Sequence, residues 1–131
     1  MNKMLKLVTA VFAFSAIAGA ALAQAGDPKK GERVFKKCIV CHAVGPNAKN
    51  KIGPQLNNIV GAKAAAQDKF RYSTALKEAS KKGLVWTEDK LKAYLESPRK
   101  VVPGGRMAFA GLRNKGDQAD VVAYLKTFAK K

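Results

Sequence analysis

The sequence predicts an all-α fold, a small single domain of about four to five helices joined by long loops. The clearest evidence is the segment from Val121 to Phe128, where apolar residues recur at the i, i+3, i+4, i+7 spacing of one helix face. Helix-start patterns precede several other segments, and no stretch shows the sustained alternation of a half-buried strand. A length of 131 residues is typical of one domain.

The first predicted helix begins at Pro28 and runs into the region of Cys38. Asp27 is a suitable N-cap, and proline is favoured at the first helical position. Gly31 and Phe35 would lie on the same face as Cys38. A glycine in mid-helix costs about 1 kcal/mol against alanine, so close approach of another helix is the expected reason for it.

Two further helices are predicted in the middle of the chain. A short helix runs from Thr74 to Lys82, with Gly83 as the residue after its end. The next helix follows the N-cap candidate Thr87 and is closed by Pro98.

The remaining segments are predicted to be loops, followed by a last helix. Glycine, proline and asparagine mark residues 43–59, 61–71 and 99–111 as loops. The last helix should start near Asp117, with Asp120 as a weak analogue of a capping box. Loops this long in a compact domain usually carry function.

The N-terminal residues 1–23 have the pattern of a secretory signal peptide. Two lysines precede a short apolar run, and a small-x-small cleavage pattern ends at Ala23. The apolar run is shorter than the roughly 20 residues of a membrane span, so a retained anchor is the less favoured alternative. We expect cleavage after Ala23, with Ala25 as a close second, leaving an exported, soluble domain of residues 24–131 in the periplasm.

The chain is strongly basic. Its formal net charge is +16, and removal of the predicted signal, which contains two lysines and no acid, lowers it to +14. An exported chain rarely meets nucleic acid, the usual partner of so basic a domain. The charge is therefore interpreted either as a solubility feature or as electrostatic steering toward acidic protein surfaces.

The chemistry is concentrated in one motif, Cys38-Ile39-Val40-Cys41-His42, which contains every cysteine and histidine of the chain. Two cysteines three positions apart, with histidine directly after the second, form the attachment pattern of c-type haem. Zinc is disfavoured because it normally needs four ligands. A redox dithiol or a structural disulfide remains an alternative, although no strand precedes Cys38 as a thioredoxin-like pair requires.

A haem ligated by His42 has one further axial position. Methionine is a common sixth ligand, and only Met107 lies outside the predicted signal. A lone methionine usually fills a gap in a core; beside a haem motif, and without a second histidine, Met107 is the candidate ligand. Two side-chain ligands indicate electron transfer, whereas an open position would indicate gas binding or peroxide chemistry.

Taken together, these residues resemble a class I c-type cytochrome of the mitochondrial and purple-bacterial soluble kind. The resemblance covers nearly all of the mature chain, and the joint order of its motifs is more specific than any one of them. The matching segments are residues 31–35, 38–42, 52–56, 70–73, 84–86, 94–98, 103–111 and 120–125.

The resemblance implies one haem c, covalently bound through Cys38 and Cys41, with its iron between His42 and Met107. The carbonyl of Pro54 would accept the other ring N–H of the histidine.

The resemblance also implies packing contacts. The first and last helices would cross with Gly31 and Phe35 against Tyr124, and Tyr94 would lie beside the sulfur of Met107.

Two aromatic residues, Tyr72 and Trp86, would hydrogen-bond a buried haem propionate. The chain departs from the family pattern at Ala62, where an arginine often faces a propionate, and at Gly105, where threonine is usual. Both departures remove polar support from the haem pocket, so we expect a loosened loop around Met107.

The implied function is that of a soluble periplasmic one-electron carrier rather than an enzyme. It would pass electrons from a quinol–cytochrome c reductase or a periplasmic dehydrogenase to an oxidase, a reaction centre or a peroxidase. A monomer would contact these membrane-bound and other partners transiently through their acidic surfaces. The alternative is a haem c enzyme or gas sensor with a labile sixth ligand. By position, the basic ring around the haem edge would include Arg33, Lys37, Lys49, Lys51, Arg99, Lys100, Arg106 and Lys115.

Overall fold

A computed structural model describes residues 25–130, which form five helices and long connecting loops. This confirms the predicted all-α class with four to five helices. The predicted signal peptide, residues 1–23, lies outside the described residues. Within the described part of the chain, one isolated antiparallel bridge joins Lys63 to Val85. The helices are α1 (Pro28–Phe35), α2 (Thr74–Lys81), α3 (Glu88–Glu96), α4 (Pro98–Val101) and α5 (Lys115–Lys126).

Helix α1 starts as the sequence predicts. The side chain of Asp27 accepts hydrogen bonds from the backbone N–H groups of Lys29 and Lys30, as an N-cap does. The helix ends at Phe35, short of the predicted end, and the chain continues to Cys41 as a series of turns. The N–H of Cys38 donates to the carbonyl of Phe35 over 2.7 Å, so the backbone tightens just before the cysteine motif.

The caps of the middle helices also follow the sequence. Ser73 caps α2 by accepting from the N–H of Leu76, and Gly83 follows its end with φ of 95°. This left-handed conformation is the one for which glycine is favoured after a helix. Thr87 caps α3 by accepting from the N–H of Lys90, as predicted.

The prediction of a continuous loop after Pro98 was wrong at its start. Helix α3 ends at Glu96, and Pro98 is the first residue of α4, which runs to Val101. The fixed φ of proline suits the first turn of a helix as well as the end of the preceding one.

The predicted start of the last helix was two residues late. Asn114 is the N-cap of α5, and its side chain accepts from the N–H of Asp117 over 3.1 Å. Asp120 does not form a capping box. Its carboxylate instead accepts a hydrogen bond from the N–H of Asp27 over 2.7 Å, which ties α5 to the start of α1.

The core is centred on the crossing of α1 and α5. A Cβ atom on Gly31 would lie 1.9 Å from the carbonyl oxygen of Asp120, so only glycine allows this approach. The rings of Phe35 and Tyr124 pack with their centroids 5.5 Å apart. The contact of Gly31 and Phe35 with Tyr124 is therefore confirmed. Other buried residues of the core are Val34, Ala64, Trp86, Leu91, Leu95, Val102, Leu112, Val121, Val122 and Leu125.

Candidate haem site

The two motif cysteines lie on one turn of backbone beyond α1. The N–H of Cys41 donates to the carbonyl of Cys38 over 3.1 Å. Both residues are half-buried and neither forms a disulfide. Burial, and secondly the neighbouring Cys41, raise the pKa of the Cys38 thiol. A raised pKa is the opposite of what a reactive thiolate needs.

The imidazole of His42 is buried and held in one orientation. Its Nδ1 donates a hydrogen bond to the carbonyl oxygen of Pro54 over 2.6 Å, which is the contact the resemblance implies. The proton is therefore on Nδ1, and the lone pair of Nε2 is available to a metal. Burial lowers the pKa of His42, so the ring is neutral near pH 7, as ligation requires.

Gly53 contacts His42, and the sequence alone did not show why a glycine is needed at this position. A Cβ atom at this position would lie 2.5 Å from Cε1 of His42, so any side chain would displace the ring. The N–H of Gly53 also donates to the carbonyl of Cys41 over 2.9 Å. The glycine thus lets the loop with Pro54 approach the imidazole closely. In the sequence, this role of Gly53 is indicated only by the Gly53-Pro54 pair.

A set of half-buried apolar side chains packs against the core. The mostly buried ring of Trp86 packs against Tyr94 with the centroids 4.8 Å apart. Burial raises the pKa of the Tyr94 phenol, which therefore stays neutral. These half-buried apolar side chains are the kind of surface that a flat macrocycle covers. They include Leu56, Ile59, Leu76, Leu84, Tyr94 and Phe109.

Trp86 also carries a polar group that suits the cofactor. The residue is only 5% exposed, and within residues 25–130 no side-chain polar atom is both fully buried and unpaired. Its indole N–H is a hydrogen-bond donor only. A haem propionate is an acceptor suited to it.

Two glutamines form a polar cluster with Tyr72 that the sequence analysis missed. The backbone N–H of Gln67 donates to the Tyr72 hydroxyl over 3.3 Å, and Nε2 of Gln67 donates to the carbonyl of Gln55 over 2.6 Å. The cluster ties the loop that contains Gln55 to the segment that precedes Tyr72. No sequence pattern predicts this cluster, because Gln55 and Gln67 are twelve residues apart in segments without regular periodicity.

Met107 lies half-buried in the loop between α4 and α5. The N–H of Phe109 donates to its carbonyl over 3.0 Å, and the N–H of Gly105 donates to the carbonyl of Val102 over 3.0 Å. Gly105 is not in the left-handed region, so its backbone does not itself require glycine.

All eight cations predicted to surround the haem edge are exposed. Some are already engaged: Lys115 pairs with Glu96 over 2.6 Å, and Nη2 of Arg106 donates to the carbonyl of Arg71 over 2.7 Å.

Apolar side chains are exposed beside the motif. Ile39 is 48%, Val40 74% and Ile52 78% exposed. Nζ of Lys51 donates to the carbonyl of Ile39 over 2.7 Å, so the loop with Ile52 lies against the motif. Exposed apolar side chains and Lys51 therefore lie beside the motif.

Between residues 25 and 130 no group of three or more histidine, cysteine and acidic side chains could hold a metal ion. In the same range, no helix has the length and apolar character needed to cross a membrane.

Comparison with known proteins decides the family. The cytochrome c family model matches residues 28–129. The chain belongs to the cytochrome c family. It is similar to cytochrome c2 of Rhodomicrobium vannielii, with 51% identity over 121 residues that cover 92% of this chain and 91% of the relative. It is 52% identical to cytochrome c-550 of Ancylobacter novellus over 101 residues, covering 77% and 94% of the two chains.

Solved structures agree with this cytochrome's fold. Cytochrome c2 of Rhodospirillum centenum matches with a TM-score of 0.75 and 41% identity, covering 80% of this chain and all of that one. Cytochrome cH of Methylobacterium extorquens gives 0.71 and 42%, covering 78% and 99%. The predicted class I cytochrome is thereby confirmed, with covalent haem c as cofactor and electron carriage rather than enzymatic turnover as its role.

Proposed function

We propose that this cytochrome is a soluble, periplasmic, monomeric one-electron carrier whose haem iron is ligated by His42 and Met107. The observation that carries the proposal is the hydrogen bond from Nδ1 of His42 to Pro54, directly after the two cysteines. It fixes the ring so that Nε2 is available for ligation, as hydrogen bonds to metal-ligating histidines commonly do.

The protein's task is to hold the cofactor rigidly. The bound haem supplies the chemistry, reversible one-electron exchange between Fe(II) and Fe(III). Cys38 and Cys41 would hold the haem through thioether bonds, and His42 and Met107 would ligate its iron. With two side chains as ligands, the iron would offer no open position to gases or peroxide.

Aromatic donors secure the other end of the cofactor. The indole N–H of Trp86 and the hydroxyl of Tyr72 are the groups we assign to a propionate. The backbone of Trp86 is fixed by two hydrogen bonds. Its N–H donates to the carbonyl of Ala62 over 2.8 Å, and its carbonyl accepts from the N–H of Gly61 over 2.7 Å. A donor held on both sides of its backbone keeps its place when the cofactor changes charge.

Docking would use the basic surface beside the motif. The expected donor is a quinol–cytochrome c reductase or a periplasmic dehydrogenase, and the acceptor is an oxidase, a reaction centre or a peroxidase. The lysines attract acidic partner surfaces over distance, and the exposed Ile39, Val40 and Ile52 provide a small apolar centre. Charge steering of this kind gives fast, weak and salt-sensitive complexes.

The docking surface can be tested by the rate of electron transfer to a membrane oxidase at increasing ionic strength. We expect the second-order rate constant to fall as salt rises, because the Debye length shrinks to about 8 Å at physiological salt. Lys49→Gln should lower the rate at low salt and flatten the salt dependence. Lys90→Gln, which removes an equal charge from α3, is the matched control and should change little. A rate indifferent to salt would discard the steering argument.

Export and attachment can be tested together by the intact mass of the protein secreted by a strain that matures c-type cytochromes. We expect the mass of residues 24–131, or 26–131, plus one haem that stays bound under denaturing conditions. The unprocessed mass, or haem lost on denaturation, would contradict the proposal. Cys38→Ala with Cys41→Ala should abolish retention of the haem.

A further inference from the structure

Gln118 is the most deeply buried polar side chain of the described residues and has no part in the proposed function so far. It is 2% exposed and projects from the second turn of α5. Its Nε2 donates to the carbonyl oxygen of Leu112 over 2.6 Å. An amide is placed in a core only where its hydrogen bonds are made, so this contact has a specific structural purpose.

The residue that Gln118 holds is anchored from two sides. The N–H of Leu112 donates to the carbonyl of Leu95, at the end of α3, over 2.7 Å. Its carbonyl receives the Gln118 amide from α5, and its side chain is only 4% exposed. The preceding Gly111 lies so close to α3 that a Cβ atom would be 2.2 Å from the carbonyl oxygen of Glu96. Leu112 is therefore a fixed point between two helices.

The other fixed point of the same loop is Val102, after α4. It is 2% exposed, and its N–H donates to the carbonyl of Pro98 over 2.9 Å. Between Val102 and Leu112 the described backbone makes few hydrogen bonds of its own, and residues 104 and 105 are both glycine. Met107 lies midway along this segment. Its position depends on these two anchors and on the hydrogen bond from Arg106 to the carbonyl of Arg71.

We propose that Gln118 is a positioning residue for Met107. By holding Leu112 against the start of α5, its amide keeps the methionine loop closed over the site. This rests on the proposed ligation by Met107. Loss of the amide donor would leave the Leu112 carbonyl unpaired in the core and free that anchor to shift. The methionine sulfur should then leave the iron more readily, although Gln118 itself touches neither.

The test is an alkaline titration of the oxidised, haem-loaded protein, followed by the weak red-edge Fe(III)–methionine charge-transfer band. Gln118→Met keeps a similar volume and removes the donor. We expect the midpoint of band loss to fall by about 0.5–1 pH unit, about a threefold to tenfold change in the equilibrium. If this variant does not mature, Gln118→Asn, whose amide is too short to reach Leu112, should shift the midpoint in the same direction.

The matched control separates positioning from general weakening of α5. Asn114→Ala removes the N-cap of the same helix without touching Leu112. Global stability of each variant is measured by chemical denaturation. The proposal requires that Gln118→Met shifts the midpoint more than Asn114→Ala does for an equal loss of global stability. An equal shift, or an unchanged midpoint, overturns it. A wild-type protein without the band overturns the ligation by Met107 itself, which is a separate result.

Discussion

Replacing Gly31 by alanine should destabilise the protein, although alanine is the better helix former. By propensity alone the change would stabilise α1 by about 0.5–1 kcal/mol. The new Cβ, however, would lie 1.9 Å from the carbonyl oxygen of Asp120 and 2.7 Å from Cβ of Tyr124. Real Cβ contacts essentially never fall below 3.0 Å, so α1 and α5 would have to separate by about 1.1 Å at this point.

That separation determines the magnitude. A gap of about 0.5–1 Å already forfeits a quarter to a half of the dispersion energy between facing atoms. The neighbouring Phe35 and Tyr124 would lose contact with each other's helix. Overpacking of a core costs about 1–3 kcal/mol, and a clash with backbone belongs at the upper end. After the gain in propensity we expect a net loss of about 2 kcal/mol.

The assay is guanidinium unfolding of the haem-loaded protein, followed by far-ultraviolet circular dichroism. Lys30→Ala, on the exposed face of the same helix, is the control and should change the free energy of unfolding by less than about 0.5 kcal/mol. If Gly31→Ala were as stable as the wild type or more so, the close crossing of α1 and α5 would be refuted. Helix propensity alone would then explain the change in the free energy of unfolding.

Three further predictions concern loops and charge. Gly105→Ala restricts the unfolded loop, but its Cβ would lie 3.1 Å from the carbonyl oxygen of Val102, a tight contact that offsets most of the gain. The pH at which Met107 is lost should therefore rise by no more than about 0.3 unit, and a larger rise would contradict this. Ala65 has a φ of 54°, in the left-handed region that glycine tolerates best. Ala65→Gly should therefore raise the free energy of unfolding by up to about 1 kcal/mol, whereas the neighbouring Ala66→Gly should lower it in the same denaturation assay. A hydrogen bond from Lys126 on α5 lowers the pKa of Glu88. The ion pair therefore stabilises the folded protein above the ordinary glutamate pKa, and this stabilisation fades as the pH falls through the lower folded-state pKa. Glu88→Gln should therefore cost about 0.5 kcal/mol at neutral pH and nothing in strong acid; a pH-independent difference would refute the assignment.

The sequence predicted those features whose cause is local. The caps at Asp27 and Thr87 and the glycine after α2 each depend on residues within one turn, so pattern alone was sufficient. Gly31 was anomalous in the sequence, and the anomaly itself indicated a close helix contact. The cysteine–histidine motif was informative because its spacing is required by the chemistry.

Features set by tertiary contact could not be predicted in this way. Asp120 follows Asp117 at capping-box spacing, yet it bonds the N–H of a residue 93 positions away. Gln118 looks like any surface residue of an amphipathic helix, and only the packing of Leu112 gives it a role. Pro98 carries the same signal whether it ends one helix or begins another, so α4 was missed.

The central claim, electron carriage with Met107 as a retained sixth ligand, is tested most directly by the absorption spectrum of the exported protein. It is recorded oxidised and then reduced, with and without CO, alongside Met107→Ala. We expect the red-edge Fe(III)–methionine band in the oxidised wild type, no CO uptake after reduction, and the reverse of both in the variant. A wild-type haem that lacks the band and binds CO at once would contradict the account and favour a gas sensor or haem enzyme.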